Sequence, residues 1–231
     1  MKIIVFLPLI LLLAVHGQGQ IFSDPETPLE GLKDFRPLPE EDPAFSSMLE
    51  KLIRDAGLDE RTAPEENPDK HEEWSSVCVV DISDIERPRV AGWKADNFVY
   101  PASAYKLYIL GEAVRRICVG ELSLDDVFTI SEHNVRSGSR LEAGQKTTLS
   151  EILRLMIMYS DNTAANQAID IVDRKKASWL LRSLGCQGSD ITRKFLPRTL
   201  EDDGYSTVPG TTSSAKHFAS FLWAAENGAI G

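Results

Sequence analysis

The order of strand-like and helix-like segments limits the folds that this chain can adopt. Only residues 77–82 and 90–93 combine β-branched residues with strand length, and residues 86–88 (ERP) between them predict a turn. The regular patterns after Pro101 are all helical. Two strands followed by many helices predict a mixed α+β protein. Because a two-stranded sheet is only marginally stable, we expect this sheet to need further strands.

Helical spacing accounts for much of the sequence after Pro101. Apolar residues recur every three to four positions until Gly120, and Thr148 with Glu151 forms a capping box that begins the next helix. Residues 186–210 lack such spacing, and their polar composition predicts a long loop. The predicted helices lie at residues 102–119, 149–158, 162–172, 175–184 and 213–226.

Residues 1–19 have the composition of a targeting segment. They combine Lys2 with an apolar run at residues 3–15 and then small polar residues, which is the pattern of a secretory signal peptide. An apolar run of 13 residues is too short to cross a membrane. We therefore expect an exported protein, periplasmic or extracellular, without a stable membrane anchor.

Residues 20–73 are acidic and rich in proline. Residues 21–73 hold 16 acidic and 6 basic residues, an excess equal to the net charge of −10 of the whole chain. This composition predicts a solvated arm, with one short helix at residues 43–56 that Asp42 caps. Nucleic acid needs a basic surface, so the charge argues against such a partner. The remaining residues, 74–231, are predicted to form the folded domain.

The cysteines and histidines do not favour a metal site. Cys78, Cys118 and Cys186 show no C-x-x-C spacing, and the four histidines show no ligand spacing, so no metal or other cofactor is expected. Apolar neighbours of Cys78 and Cys118 predict buried thiols. Export would allow one disulfide, and the sequence leaves the pair open.

A serine and a lysine lie one helical turn apart at the start of the first long helix. Residues three apart share a helix face, so the Lys106 amine can approach the Ser103 hydroxyl. Backbone amides at a helix N-terminus favour developing negative charge, and a partly desolvated lysine can accept a proton near neutral pH. The pair can therefore supply a nucleophile and its base, although a helix cap with a surface lysine has the same spacing.

A second polar cluster, residues 160–162 (SDN), directly follows an apolar helix. Alone, the triplet is typical of a turn with an N-cap. Taken with residues 101–107 (PASAYKL), the segment 159–166 (YSDNTAAN) resembles the class A serine β-lactamases and their penicillin-binding relatives. The similarity covers roughly residues 75–228. It implies a β-lactamase/transpeptidase-like fold, in which an antiparallel sheet region and an all-helical region flank the active serine.

The resemblance implies a role for each matched residue. Ser103 would be the acylated nucleophile, Lys106 its proton acceptor, and Ser160 the proton donor to the departing lactam nitrogen. Asn162 would bind the amide of the substrate's side chain, and Asp161 would support the loop. The partner would be a small β-lactam or a cell-wall peptide.

The sequence departs from the family pattern in two ways, one in the loop that hydrolyses the acyl-enzyme and one in the sheet. The loop glutamate that activates water in class A enzymes corresponds in position to Arg198, and arginine cannot act as a base. Glu201, three residues later, could act as the loop base only in a rearranged loop. The family's Lys-Thr-Gly strand has no counterpart after the last predicted helix, so we expect an incomplete sheet.

The sequence predicts a serine β-lactamase-type hydrolase that opens β-lactam rings through an acyl-Ser103 intermediate and turns over slowly. Such an activity would contribute to antibiotic resistance. A penicillin-binding D-alanyl-D-alanine peptidase is an alternative that Arg198 favours. A non-catalytic, truncated remnant, in which Ser103 forms no adduct, is a third hypothesis.

Overall fold

The computed structural model describes residues 3–6, 21–61 and 73–231. Within these ranges, six α-helices and several short antiparallel strands confirm the mixed α+β class. The helices are α1 (Pro43–Asp55), α2 (Lys106–Cys118), α3 (Leu149–Met158), α4 (Asn162–Val172), α5 (Arg174–Ser183) and α6 (Ala215–Glu226). The strands are β1 (Ile3–Phe6), β2 (Glu60–Arg61), β3 (Glu73–Trp74), β4 (Val77–Asp81), β5 (Arg89–Trp93), β6 (Val127–Thr129) and β7 (Lys146–Thr148).

The main sheet has three antiparallel strands in the order β1-β4-β5. Successive side chains of a strand point to opposite faces. Here α6 contacts β4 and α1 contacts β5. On one face, Cys78 and Val80 belong to a buried cluster with Trp223 of α6. On the other face, Val79 lies in a cluster with Phe45 of α1. The sheet is thus held between α1 and α6.

Strand β1 lies within the segment predicted to be a signal peptide. It pairs with β4 in a register that places Val5 opposite Val79. Residues 7–20 lie outside the described residues, so the signal peptide stays a prediction, as does the division of the chain at residue 73. Sequence analysis did not predict β1, because a short apolar run is compatible with several structures. No helix in the described ranges is long and apolar enough to cross a membrane.

The acidic segment lies against the helical region, although its composition predicts a solvated arm. Phe22 is buried, and the amide of Ile21 donates to the carboxylate of Asp190 at 2.8 Å. The indole of Trp179 on α5 donates to the carbonyl of Ser23, also at 2.8 Å. Composition averages over the segment, whereas a single aromatic side chain and a few backbone groups are enough to hold it in place.

The six predicted helices are all present, with small shifts at their ends. Helix α2 lies at the centre of the helical region, where Tyr108, Ile109 and Ala113 are fully buried. Gly111 permits the close approach of α6, because a Cβ at this position would lie 2.5 Å from Cζ of Phe221. Helix α2 therefore provides a firmly packed support for the residues at its N-terminus.

The cysteines differ from the sequence expectation at one position. Cys78 and Cys186 are buried, but Cys118 is exposed, because it is the last residue of α2, where the helix leaves the core. All three are free thiols. Burial raises the pKa of Cys78 and of Cys186 to about 12, so neither thiol ionises readily.

Candidate active site

Ser103 lies on a 3₁₀ turn, Ala102–Tyr105, that leads directly into α2. Ala102 has a φ of +45°, a backbone conformation that residues with a Cβ rarely adopt. The Ser103 side chain is exposed, whereas Lys106, one turn later, is only 2% exposed. The turn thus presents a hydroxyl to solvent and keeps an amine beneath it.

Ser160 follows α3 and lies beside Ser103. Its hydroxyl donates to Oγ of Ser103 at 3.0 Å, so the structure brings the two predicted serines together. Ser160 also has a positive φ, +54°. A non-glycine residue in this region costs on the order of 1–3 kcal/mol, and such strain concentrates at functional sites. Ala102 and Ser160 therefore mark this cleft as a strained part of the backbone.

The Lys106 amine has acceptors for all three of its protons. Nζ donates to the carbonyl of Ser160 at 2.6 Å, to Oγ of Ser160 at 2.9 Å and to Oδ1 of Asn162 at 2.8 Å. Burial lowers the pKa of Lys106 to about 8, although the negative charge of Asp161 acts in the opposite direction. The amine can therefore lose its proton close to neutral pH.

Ser160 lies between the amine and the predicted nucleophile. Among the described residues, no hydrogen bond joins Lys106 directly to Ser103, which differs from the contact that their spacing on a helix predicts. The carbonyl of Ser160 and the amide oxygen of Asn162 draw the amine towards the second polar cluster. Once Lys106 is neutral, the chain of hydrogen bonds can reverse, so that Ser103 donates to Ser160 and Ser160 to Lys106.

Asp161 fixes the position of this cluster. Its carboxylate caps α4 by accepting from the amide of Ala164 at 3.0 Å. It also accepts from the Ser139 hydroxyl and from the amide of Arg140, at 2.9 and 3.0 Å. Asp161 therefore ties the loop before β7 to the start of α4. The role of Ser139 gave no signal in the sequence, because its partner is 22 residues away.

Glu201 lies in a buried group of cations. Its carboxylate accepts from Nη1 of Arg174 at 3.3 Å, from Nε of Arg193 at 3.0 Å and from the amide of Lys194 at 3.1 Å. None of the hydrogen bonds in the described part of the chain joins Glu201 to the two serines or to the lysine of the site. Arg198, nearby, is exposed and donates to the carbonyl of Ser206 at 3.3 Å.

Phe195 is a residue of the site that sequence reasoning missed. Its ring lies 4.4 Å from Nζ of Lys106 and stacks on the ring of Tyr105 with centroids 4.6 Å apart. Buried Asn166 accepts a hydrogen bond from the Phe195 amide at 2.7 Å. The ring covers a side of the lysine that is free of hydrogen bonds, and an aromatic face attracts a cation. Its partners lie far away in sequence, so the contact of this phenylalanine with the lysine could not be predicted from a polar loop.

The described residues contain no group of three or more His, Cys, Asp or Glu side chains that could hold a metal ion. The side chains of the site itself provide an exposed hydroxyl, a bridging hydroxyl and a buried amine. Such a series of hydrogen-bonded groups can remove the proton of Ser103 and so allow its oxygen to attack an electrophilic carbon.

Comparison with known proteins identifies similar sequences and folds. The model of the β-lactamase enzyme family matches residues 65–230 of the chain. No curated protein sequence matches it.

Solved structures have the same fold at low sequence identity. A β-lactamase from Sphaerobacter thermophilus DSM 20745 is 25% identical, with 62% of this chain and 54% of that chain covered and a TM-score of 0.53. The last common ancestor of Gram-negative bacteria class A β-lactamase is 22% identical, with coverages of 78% and 62% and a TM-score of 0.56. PBP-A is 19% identical, with coverages of 58% and 49% and a TM-score of 0.50. The chain thus spans between 49% and 62% of the length of these structures.

Proposed function

We propose that this chain, which belongs to the β-lactamase enzyme family, reacts with β-lactams through Ser103 to form an acyl-enzyme. The observation that carries the proposal is the hydrogen-bonded series of Lys106, Ser160 and Ser103, with donor–acceptor distances of 2.9 and 3.0 Å. Distances in this range allow proton transfer along the series. The lowered pKa of Lys106 supports its assignment as the terminal acceptor.

Acylation would proceed by a proton relay. The proton of Ser103 passes to Oγ of Ser160, while the proton of Ser160 passes to neutral Lys106. Oγ of Ser103 forms a bond to the lactam carbonyl carbon, and the backbone amide of Ser103 would donate to the developing oxyanion. When the carbon–nitrogen bond breaks, Lys106 returns its extra proton through Ser160 to the departing nitrogen. Atoms and charges therefore balance within the site.

Asn162 would orient the substrate. Its Oδ1 accepts from Lys106, which leaves its amide nitrogen for a carbonyl of the substrate's acyl side chain. The same contact holds the amine in place. We therefore assign Asn162 a role in both substrate binding and the alignment of Lys106.

Hydrolysis of the acyl-enzyme would be slow. The carboxylate of Glu201, the candidate base of the loop, forms ion pairs with Arg174 and Arg193. Arg198 cannot accept a proton at neutral pH. Neither loop residue could then activate water for attack on the acyl-enzyme, and we propose ring opening followed by a long-lived adduct.

The ion pairing of Glu201 also favours a second candidate function. A penicillin-binding D-alanyl-D-alanine peptidase uses the same serine and lysine and forms persistent adducts with β-lactams. Within the described ranges no carboxylate forms a hydrogen bond with Ser103, Ser160 or Lys106, which suits such a protein as well as a slow β-lactamase. We further propose that the chain is exported to the periplasm or the cell exterior. Either substrate would be encountered there.

Intact-protein mass spectrometry with benzylpenicillin tests the proposal. We expect a penicilloyl adduct on the parent protein, no adduct on Ser103→Ala, and a normal adduct on Ser183→Ala, which removes an exposed serine on α5. A persistent adduct supports slow hydrolysis, and an adduct that disappears as product accumulates supports an efficient β-lactamase. If the parent and Ser103→Ala are modified to the same extent, or if neither is modified, Ser103 forms no adduct. Either result would contradict the proposed chemistry and favour the non-catalytic, truncated remnant.

A further inference from the structure

A second feature of the cleft is a cavity of about 310 Å³ that begins at Ser160 and Asn162. Arg136 and Arg140 line it together with the ring of Tyr159. This volume is at the lower end of the range for ligand cavities, so it suits part of a substrate better than a whole one. Because Asn162 is our proposed contact for the substrate's side-chain amide, the atoms beyond that amide would enter the cavity.

The cavity carries an excess of positive charge. Neither Arg136 nor Arg140 forms an ion pair with a described residue, and arginine remains charged at any physiological pH. Asp161 is the one carboxylate that lines the cavity. Its oxygens already accept from Ser139 and from the backbone amides of Arg140 and Ala164. The lining thus holds two cations and one anion, so its net charge remains positive.

The two guanidinium groups also retain unused donors. Arg136 donates one side-chain hydrogen bond, to the carbonyl of His133 at 3.1 Å, and its buried Nε has no partner among the described residues. The Arg140 side chain donates to no described residue, and its guanidinium carbon lies 3.8 Å from the centroid of Tyr159. Stacking on a ring fixes the plane of a guanidinium and leaves its in-plane N–H groups available. An anionic ligand in the cavity would accept from the N–H groups of the two guanidinium ends that remain free.

We propose that this cavity binds a carboxylate on the acyl side chain of the substrate, held by Arg136 and Arg140. The inference rests on the proposed function, because it places the acyl side chain by means of Ser103 and Asn162. It adds a substrate preference to that function. A β-lactam whose acyl side chain carries a negative charge next to the amide should react faster than one of the same shape whose side chain is neutral. Planar carboxylates match the paired N–H groups of arginine.

Benzylpenicillin and carbenicillin provide the probe, because carbenicillin differs by one α-carboxylate on the acyl side chain. We expect carbenicillin to acylate Ser103 about tenfold faster than benzylpenicillin, a ratio that one charge-assisted contact can supply. In Arg136→Gln and Arg140→Gln the ratio should fall, and in the double variant it should approach about one. Added salt should reduce the ratio in the parent protein but not in the double variant.

Arg154→Gln is the matched control. Arg154 also lies over Tyr159, at 5.5 Å, but it pairs with Glu151 at 2.7 Å and does not line the cavity. Its substitution should leave the ratio unchanged, and a thermal melt of each variant excludes loss of the fold. Equal rates for the two penicillins in the parent protein, or a ratio that survives both arginine substitutions, would overturn the inference.

A binding measurement separates this inference from the proposed function. Calorimetry on Ser103→Ala compares the dissociation constants of the two penicillins without any covalent step. If neither penicillin acylates the parent but carbenicillin still binds about tenfold more tightly, the proposed function fails and the cavity assignment stands. If acylation occurs but carbenicillin binds no more tightly than benzylpenicillin, the cavity assignment fails alone.

Discussion

Lys106 is the residue whose protonation state should control the reaction. Its ammonium form uses every N–H group in hydrogen bonds to Ser160 and Asn162, and it cannot accept a proton. In the proposed relay, only the neutral amine can take up the proton of Ser160. Burial, which lowers the pKa of Lys106 to about 8, makes that form accessible.

The pH dependence of acylation follows from this pKa. Below pH 8 the neutral fraction of Lys106 falls about tenfold per pH unit, so the acylation rate should rise with pH and level off above about 8. Stopped-flow or quenched mass spectrometry at a series of pH values measures the rate. Lys106→Arg should abolish acylation, since a guanidinium does not deprotonate, whereas exposed Lys175→Arg should leave the profile unchanged. A rate that is flat between pH 6 and pH 9 would exclude Lys106 as the acceptor.

Glu201 could stabilise the fold through its ion pairs or act as a base, and the two roles predict different results. Its carboxylate is fully buried between Arg174 and Arg193, whose side chains are 6% and 9% exposed. Glu201→Gln should lower the free energy of unfolding by about 3 kcal/mol, because removal of one partner leaves buried charge uncompensated. Urea denaturation measures this loss, with exposed Glu226→Gln as the control.

The same variant tests whether Glu201 acts as a base. If its role is structural, the adduct on Ser103 should decay at the same rate in Glu201→Gln and in the parent, provided that both are folded. A decay at least about a hundredfold slower, with little loss of stability, would instead assign hydrolysis to Glu201.

At the scale of elements, the site depends on caps that hold helix ends to loops. Asp161 caps α4 and at the same time binds the Arg140 amide and the Ser139 hydroxyl. We expect Asp161→Ala to reduce the free energy of unfolding by roughly 2–3 kcal/mol, from the lost cap and the unpaired loop groups. Asp161→Asn, which keeps one acceptor oxygen, should lose less. Urea unfolding gives both values, and an unchanged midpoint for Asp161→Ala would show that the cap is unimportant.

Spacing, caps and stops predicted the six helices, and β-branched runs predicted β4 and β5, but the other, shorter strands were not predicted. The resemblance of two short segments to a known family predicted Ser103, Lys106, Ser160 and Asn162, which the structure brings close together. Phe195 could not be predicted, because its contact with Lys106 depends on the path of a long loop. The bridging position of Ser160 was equally hidden, since it depends on a backbone turn that brings two distant segments together.

At the scale of the whole molecule, the main sheet joins the N-terminal residues to the domain. If residues 1–19 are removed on export, β4 loses its partner β1 and the four residue pairs between them. We expect the free energy of unfolding of the chain that begins at residue 20 to be lower by roughly 2 kcal/mol or more. The value follows from about 0.5 kcal/mol or more for each lost backbone hydrogen bond. Urea denaturation of the two forms measures the difference.

The mass of the exported protein shows which form exists outside the cell. We expect a mass that lacks residues 1–19. A mature protein that retains them, with an unfolding curve identical to that of the shorter chain, would contradict both the signal peptide and the contribution of β1.

The positive φ angles of Ala102 and Ser160 have a consequence for laboratory evolution. Glycine tolerates this backbone conformation, so a library screened for heat resistance alone should enrich glycine at both positions. At position 102 such a change removes only a methyl group. At position 160 it also removes the bridging hydroxyl, so a screen for thermal tolerance and a screen for reaction with penicillin would drive that codon in opposite directions.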